Sequence, residues 1–417
     1  MRRVSVPEPP PASADLTPLR RNSSFQLLWA GGAVSQLGSE LTRLAMPLLV
    51  LGLTGSPAWA GVVTGAGVAA AVLTQVPAGV WVDRWDRRRT LVTGSALRAA
   101  NSAGLAVLVT AGGVQVWHLV LFGVVDGMCG AFVDPATWTA IRGVVPVPHL
   151  PAAYAQEESR RHAASLLGPP LGGLLYGFGR AVPFVADAVT FLVAALCAVL
   201  AKVPRRPAGG RERVRRGMHR EAGEAVGWLW RHRGLRSVYG VAMAMNLLGG
   251  AMLLPLIVLV GERGGGALDT GAVLATAGLG GLVGALLSRR TGQLLPPGQL
   301  FLAVVALFGI ALSAMALPLG WWWPMVPLVL IALSTPAINV VMNVVLARLT
   351  PDDMLGRMDA VLTVGSRGLA PLGPVLGGAL ATALGGAASL VLLGALLLLT
   401  AAVAATSRDL RGFTGAA

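Results

Sequence analysis

The chain has 417 residues, of which 54% are Ala, Val, Ile, Leu, Met, Phe, Trp, Tyr or Cys, 55 are Gly and only 12% are charged. With glycine included, roughly two thirds of it is apolar, against about half in a soluble domain, which excludes a water-solvated globular fold. The apolar excess also excludes intrinsic disorder, which needs few apolar residues and dense charge.

A bilayer core about 30 Å thick takes roughly 20 apolar residues per helix. Twelve such stretches follow a Pro-rich tail, 1–24, that lacks the short apolar core of a signal peptide. They fall at 25–52, 56–82, 89–111, 114–137, 152–178, 181–202, 236–261, 267–288, 299–318, 322–347, 357–383 and 386–406, leaving a tail at 407–417. The first carries Glu40 and Arg43, an i, i+3 pair on one helix face, which would bind or release a proton when substrate or a moving helix competes for Arg43. Arg98 lies about ten residues into the third stretch and Asp126 near the middle of the fourth. Charges inside hydrocarbon are expensive and are functional candidates by default. For Glu40 and Asp126, proton coupling and static ion pairing stay equally open. Glu157, Glu158, Arg160, Arg161 and His162 cluster near the start of the fifth stretch; Glu157, Glu158 and Arg160 read as a charged interface and His162 as a satisfied interior group, while Asp187, in the sixth, reads as structural.

The hydrophilic segment 203–235 divides the chain, and its second part, with Trp228, Leu229, Trp230, Arg231 and Arg233, suits an amphipathic helix on an anionic leaflet. Beyond it, Asn246 in the seventh stretch and Asn339 and Asn343, i and i+4 in the tenth, are uncharged polar groups at cavity depth. They would bind substrate or neighbouring helices. Arg367 lies in the eleventh stretch, and Trp321, Trp322 and Trp323 open the tenth as an interfacial belt.

The net charge of +14 would suit nucleic acid, but its distribution follows topology. On a twelve-span reading, 26 of the 33 Lys and Arg fall on one face, and only Arg180 and Arg263 on the other. The positive-inside rule therefore puts both termini in the cytoplasm of a cell whose inner membrane holds the chain. The lipid bilayer, not nucleic acid, is the expected partner. The single lysine, Lys202, follows Ala201, so no P-loop for ATP exists in this chain. Cys129 and Cys197 sit in apolar runs and five histidines are scattered, so no catalytic set, metal or cofactor is expected.

The halves repeat. Leu167-Gly168-Pro169-Pro170-Leu171-Gly172-Gly173 returns 205 residues later as Leu372-Gly373-Pro374-Val375-Leu376-Gly377-Gly378, and Gly79 and Arg84 return as Gly284 and Arg289. Met46-Pro47-Leu48 finds Leu254-Pro255-Leu256, and Pro135-Ala136 finds Pro336-Ala337. Six spans between copies preserve orientation, the parallel-repeat plan of a two-bundle transporter. The expected fold is an all-α membrane protein with twelve transmembrane helices in two six-helix bundles. The recurrence favours helix bending by Gly168, Pro169, Gly172, Gly173, Gly373, Pro374, Gly377 and Gly378 over static packing.

Between the second and third stretches, Gly79-Val80-Trp81-Val82-Asp83-Arg84-Trp85-Asp86-Arg87-Arg88 resembles the Gly-x-x-x-Asp-Arg-x-x-Arg-Arg signature of the major facilitator superfamily. Arg21-Asn22, Leu53-Thr54-Gly55-Ser56, Asp134-Pro135-Ala136, the Leu167–Gly173 segment and Trp230-Arg231-His232 resemble its macrolide-efflux and enterobactin-exporter branch. The resemblance implies that Gly79 allows close helix packing and that Asp83 latches the cytoplasmic side with Arg84, Arg87 and Arg88. It implies secondary export of a hydrophobic or amphiphilic small molecule, normally by proton antiport. Ala155 and Ala164 replace glycines of the antiporter signature, and Asp126 stands in the span where many drug antiporters carry an arginine. An importer or uniporter on the same scaffold is the alternative; a membrane enzyme or sensor lacks a catalytic cluster or soluble domain.

Overall fold

A computed structural model describes residues 18–82, 85–204, 233–291, 296–336 and 368–406. Asp83, Arg84, Asn339, Asn343, Arg367 and the expected amphipathic helix of the linker lie outside the described residues. The described residues are helical throughout the apolar stretches, as a chain in hydrocarbon must be when every backbone N–H and C=O needs an internal partner.

The helices of the first half are α1 (Ser23–Thr54), α2 (Pro57–Val82), α3 (Arg87–Thr110), α4 (Val116–Val144), α5 (Leu150–Phe178) and α6 (Val182–Leu200). Asn22 caps α1 by accepting from the Phe25 N–H at 3.0 Å, and Gly55 ends it at φ 64°, a left-handed conformation that costs glycine nothing. In the second half, α7 (Arg233–Ala251) and α8 (Leu253–Glu262) form one span interrupted at Met252. Pro255 has no N–H for the Ala251 carbonyl, which accounts for the interruption. Its repeat mate Pro47 sits inside the unbroken α1. Next come α9 (Ala267–Thr291), α10 (Pro297–Met315), α11 (Met325–Pro336) and α12 (Leu372–Thr406), which is two helices joined at Gly385. Gly385, at φ 75°, makes the reversal, and the Gly386 N–H donates to Glu262 Oε1 at 3.1 Å.

The bundles meet along two seams, α5 against α9 and α2 against α12. Arg20, Arg21, Arg87–Arg89 and Arg142 mark one end of the molecule, here the basic end; the turns at Gly55 and Gly112 mark the far end. At the far end one apolar cluster joins the two halves: Leu44, Leu49, Val50 and Phe184 pack with Leu254 and Ile257. Toward the basic end, the clusters around Leu28, Leu91 and Ala140 and around Phe25, Ile141 and Ala153 draw only on the first half among the described residues.

Candidate functional site: a buried charge cluster at mid-depth

α3, α4, α1 and α6 bring five polar side chains together inside the first bundle: Arg98 and Ser102 on α3, Asp126 on α4, Ser39 on α1 and Asp187 on α6. Arg98 on α3 makes a bidentate pair with Asp126 on α4: Nε donates to Oδ1 at 2.6 Å and Nη2 to Oδ2 at 3.0 Å. Nη2 also donates to Ser39 Oγ on α1 at 3.2 Å, and the guanidinium lies 4.1 Å from the centroid of the Phe191 ring on α6. A planar fork fits a carboxylate and an aromatic face at once, which a lysine would not. The Asp126 side chain is 29% exposed and that of Arg98 12%, so the aspartate is the face that reaches open space.

One turn along α6 from Phe191, Asp187 is 1% exposed. Its Oδ2 accepts from Ser102 Oγ of α3 at 2.6 Å, while Oδ1 has no hydrogen-bond partner among the described residues. Gly38 of α1 leaves room for it, since a methyl there would stand 2.6 Å from that oxygen. In the sequence Arg98, Asp126 and Asp187 stand apart, on three different helices. Their convergence has no local signature, although each alone is a charge in an apolar run.

A second carboxylate is lodged by glycine in the same way. Glu40, 4% exposed, accepts from Arg43 Nη1 at 3.0 Å and from Gln36 Nε2 at 3.2 Å. Gly168 of α5 lies flat against it; a methyl there would overlap the Glu40 side chain. Arg43 is 64% exposed although it sits in mid-helix, on a helix whose other sides pack on α5, α6 and α2. Asn246 is exposed on α7. Near the start of α5, Arg160 pairs with Glu157, and Arg161 with Glu158 at 2.5 Å.

The motif glycines are points of close approach. Gly172 lies on the Leu41 backbone within the first bundle, and Gly173 on Ala267 and Leu268 of α9 across the seam. Their mates repeat the plan: Gly373 meets Leu247 and Gly250, Gly377 meets Ala251, and Gly378 crosses to Pro57 and Gly61 of α2. Ala58 N–H also donates to Thr382 Oγ1 at 2.9 Å across that seam. Pro169 and Pro374 present carbonyls to Gly271 and Gly61. These seams lie toward the far end.

At the basic end, no described atom lies within 4 Å of where a Gly79 side chain would begin. Arg87 Nη1 donates to the Thr139 carbonyl at 3.3 Å, and Arg88 donates to the Val199 carbonyl. Both cations thus sit near helix C-termini, where the dipole favours them. Asp86, a variable position within the loop motif, caps α3 by accepting from the Arg89 N–H at 2.9 Å. An Asp directly before a helical run is the sequence signal for it. Among the described residues, no three His, Cys, Asp or Glu converge as a metal site would require.

Residues 28–358 match the Major Facilitator Superfamily. The chain belongs to that family. The multidrug efflux pump Tap of Mycolicibacterium fortuitum is 26% identical over 404 residues, which cover 93% of this chain and 96% of Tap. Macrolide efflux protein A of Streptococcus pyogenes is 23% identical over 182 residues, 43% of this chain and 45% of that protein. Among solved structures, a point mutant of the nucleoside transporter NupG superposes with a TM-score of 0.71 at 12% identity, over 93% of this chain and 98% of NupG. A bacterial homologue of the human lysosomal transporter Spinster, inward-facing and occupied, gives 0.68 at 15% identity, over 92% and 94% of the two chains. These likenesses establish the fold: an all-α, multi-pass membrane protein of twelve helices in two bundles.

Proposed function

We propose that this protein is a secondary exporter of hydrophobic or amphiphilic small molecules, moving them outward against inward protons by alternating access. The two moving bodies are 25–202 and 236–406, joined by a linker at 203–235, with the tails 1–24 and 407–417. The observation that carries the reading is a charged cluster, Arg98–Asp126, half-buried at mid-depth in a chain similar over 93% of its length to a multidrug efflux pump. Charge in hydrocarbon is kept only where it works or is tightly paired, and Asp126 is both paired and partly open.

The basic end is cytoplasmic by the positive-inside rule, so the far-end seal at Leu254 and Ile257 is the periplasmic or outer closure. In the opposite conformation the basic end closes, with Gly79 against a neighbouring helix and Asp83 latched by Arg84, Arg87 and Arg88. Substrate sits between the bundles beside Arg98, Asn246, Asn339, Asn343 and Arg367. Glu40 with Arg43, and Asp126, are the ionisable groups of that wall available for coupling. Gly168, Pro169, Gly172 and Gly173, with Gly373, Pro374, Gly377 and Gly378, let the two seams slide as the bundles rock.

Uptake into inside-out vesicles tests this directly. A panel of macrolides, lipophilic cations and catecholate siderophores is offered with and without an imposed inside-acidic gradient. At least one compound accumulates with the gradient, and a protonophore abolishes the accumulation. Equilibration without accumulation for every compound that enters refutes proton-driven export and favours facilitated diffusion.

A further inference from the structure

Proton antiport needs a group that carries a proton in one conformation and yields it in the other. Glu40 and Asp126 are each held by an arginine in this conformation, at 3.0 Å and 2.6 Å. Each thus has a cation beside it that offsets its charge in this conformation. Asp187 is placed differently: it is buried, one oxygen takes a single hydroxyl from Ser102, and the other has no partner among the described residues. A bare buried anion is among the costliest arrangements a protein can hold, and a protonated carboxyl there is not.

The groups around it are few. α1 contributes Gly38 and Ser39, and its charges Glu40 and Arg43 are engaged with each other. α3 contributes Ser102 and Arg98; α4 contributes Asp126 on Arg98 and, two turns further along, Asp134, whose carboxylate also acts on Arg98 through space; on α5, Glu157 and Arg160 pair together. On α6 itself, Thr190 donates to the Asp187 backbone carbonyl at 2.7 Å. Arg98 is therefore the cation within reach of Asp187. It already lies on Phe191, four residues along α6 and on the same helix face as Asp187.

We propose that Asp187 is the proton-carrying group of this transporter, and that Arg98 is the shared cation for which Asp187 and Asp126 compete. The inference rests on the exporter reading above. With the proton on Asp187 and Arg98 on Asp126, the three groups sum to zero charge. When the Asp187 O–H gives its proton to water, the cluster becomes net negative by one. Arg98 turns along the Phe191 face to the new carboxylate, and Asp126, the exposed member, is freed to pair with a cationic centre on the substrate. Rebinding of the proton to Asp187 returns Arg98 to Asp126 and displaces the substrate cation. Proton and cation thus neutralise the same cluster in turn, which makes lipophilic cations the matching substrate class.

The test uses the full-length protein in detergent, weakly buffered, with tetraphenylphosphonium as the probe. Wild type releases about one proton per cation bound, and its Kd tightens up to tenfold per pH unit through the titration range. Asp187→Asn binds weakly, independently of pH, and releases no proton, whereas Glu158→Gln, at the exposed pair with Arg161, keeps the release. Proton release by Asp187→Asn equal to wild type overturns the assignment while leaving export intact. Wild type that neither binds the cation nor releases protons overturns the cation-for-proton reading itself. Should Asp187→Asn not fold, Ser102→Ala decides. Loss of one hydrogen bond to the carboxylate moves the midpoint of the pH dependence up by roughly half a unit to one unit, and an unmoved midpoint refutes the proposal.

Discussion

The two seams make a quantitative statement about how the far end stays closed. A methyl group at Gly173 would stand 2.9 Å from the Ala267 carbonyl carbon and 3.1 Å from Leu268 Cα, both backbone atoms of α9. At Gly378 it would stand 3.0 Å from Gly61 Cα and 3.1 Å from Gly61 N of α2. Backbone cannot rotate away as a side chain can, so Gly173→Ala is relieved only by separating the bundles at the far end. Overpacking of this kind costs about 1–3 kcal/mol. The cost applies only while the seam is closed, whereas the gain in helix propensity from alanine is common to both conformations and cancels. The closed-to-open ratio at the far end should therefore fall roughly 5- to 150-fold. Gly378→Ala should do the same, and the distant pair should add. Gly177→Ala, on the same helix with no described atom within 4 Å, is the control. Spin labels on Ala111→Cys and Leu319→Cys, with Cys129 and Cys197 replaced, report the far-end distance distribution by pulsed electron resonance. If Gly173→Ala shows no larger open population than Gly177→Ala, the seam is not what holds the far end shut.

Three further outcomes follow from the cluster and the caps. Arg98→Met leaves Asp126 without its cation and should lower stability by about 3 kcal/mol; adding Asp126→Asn should restore most of it, read as a double-mutant cycle of detergent thermal unfolding. Gly38→Ala places a methyl against Asp187 Oδ1 and Thr190, and should cost about 1–3 kcal/mol, part of which Thr190→Ala recovers in the same assay. Asp86→Ala removes the acceptor for the Arg89 N–H and should cost about 1 kcal/mol, seen as faster hydrogen exchange confined to the first turn of α3.

Much of the architecture was legible in one dimension because hydrocarbon forces it. A span must be helical and about 20 residues long, so apolar runs located helices, and the arginines of the tails and loops sorted their ends. The stretch read at 386–406 begins at Gly386, one residue past the reversal at Gly385, because a left-handed backbone there needs glycine. The repeat of Gly168–Gly173 in Gly373–Gly378 was equally plain, since both copies answer one packing demand. Its role was less so: in this conformation the eight residues are sites of backbone contact, within each bundle and across the seams.

The chain alone thus determined that the protein spans a membrane, how many times, and as which family, because solvation and spacing are local properties. Which charges share a site was decided by tertiary structure. Arg98, Asp126 and Asp187 sit on three helices up to 89 residues apart, and helix rotation about the long axis, set by glycine-sized gaps such as Gly38, chose Asp126 as partner and left one Asp187 oxygen bare. Glu40 and Arg43 show the other case: an i, i+3 pair is fixed by helix geometry, so its ion pair could be read directly from the sequence.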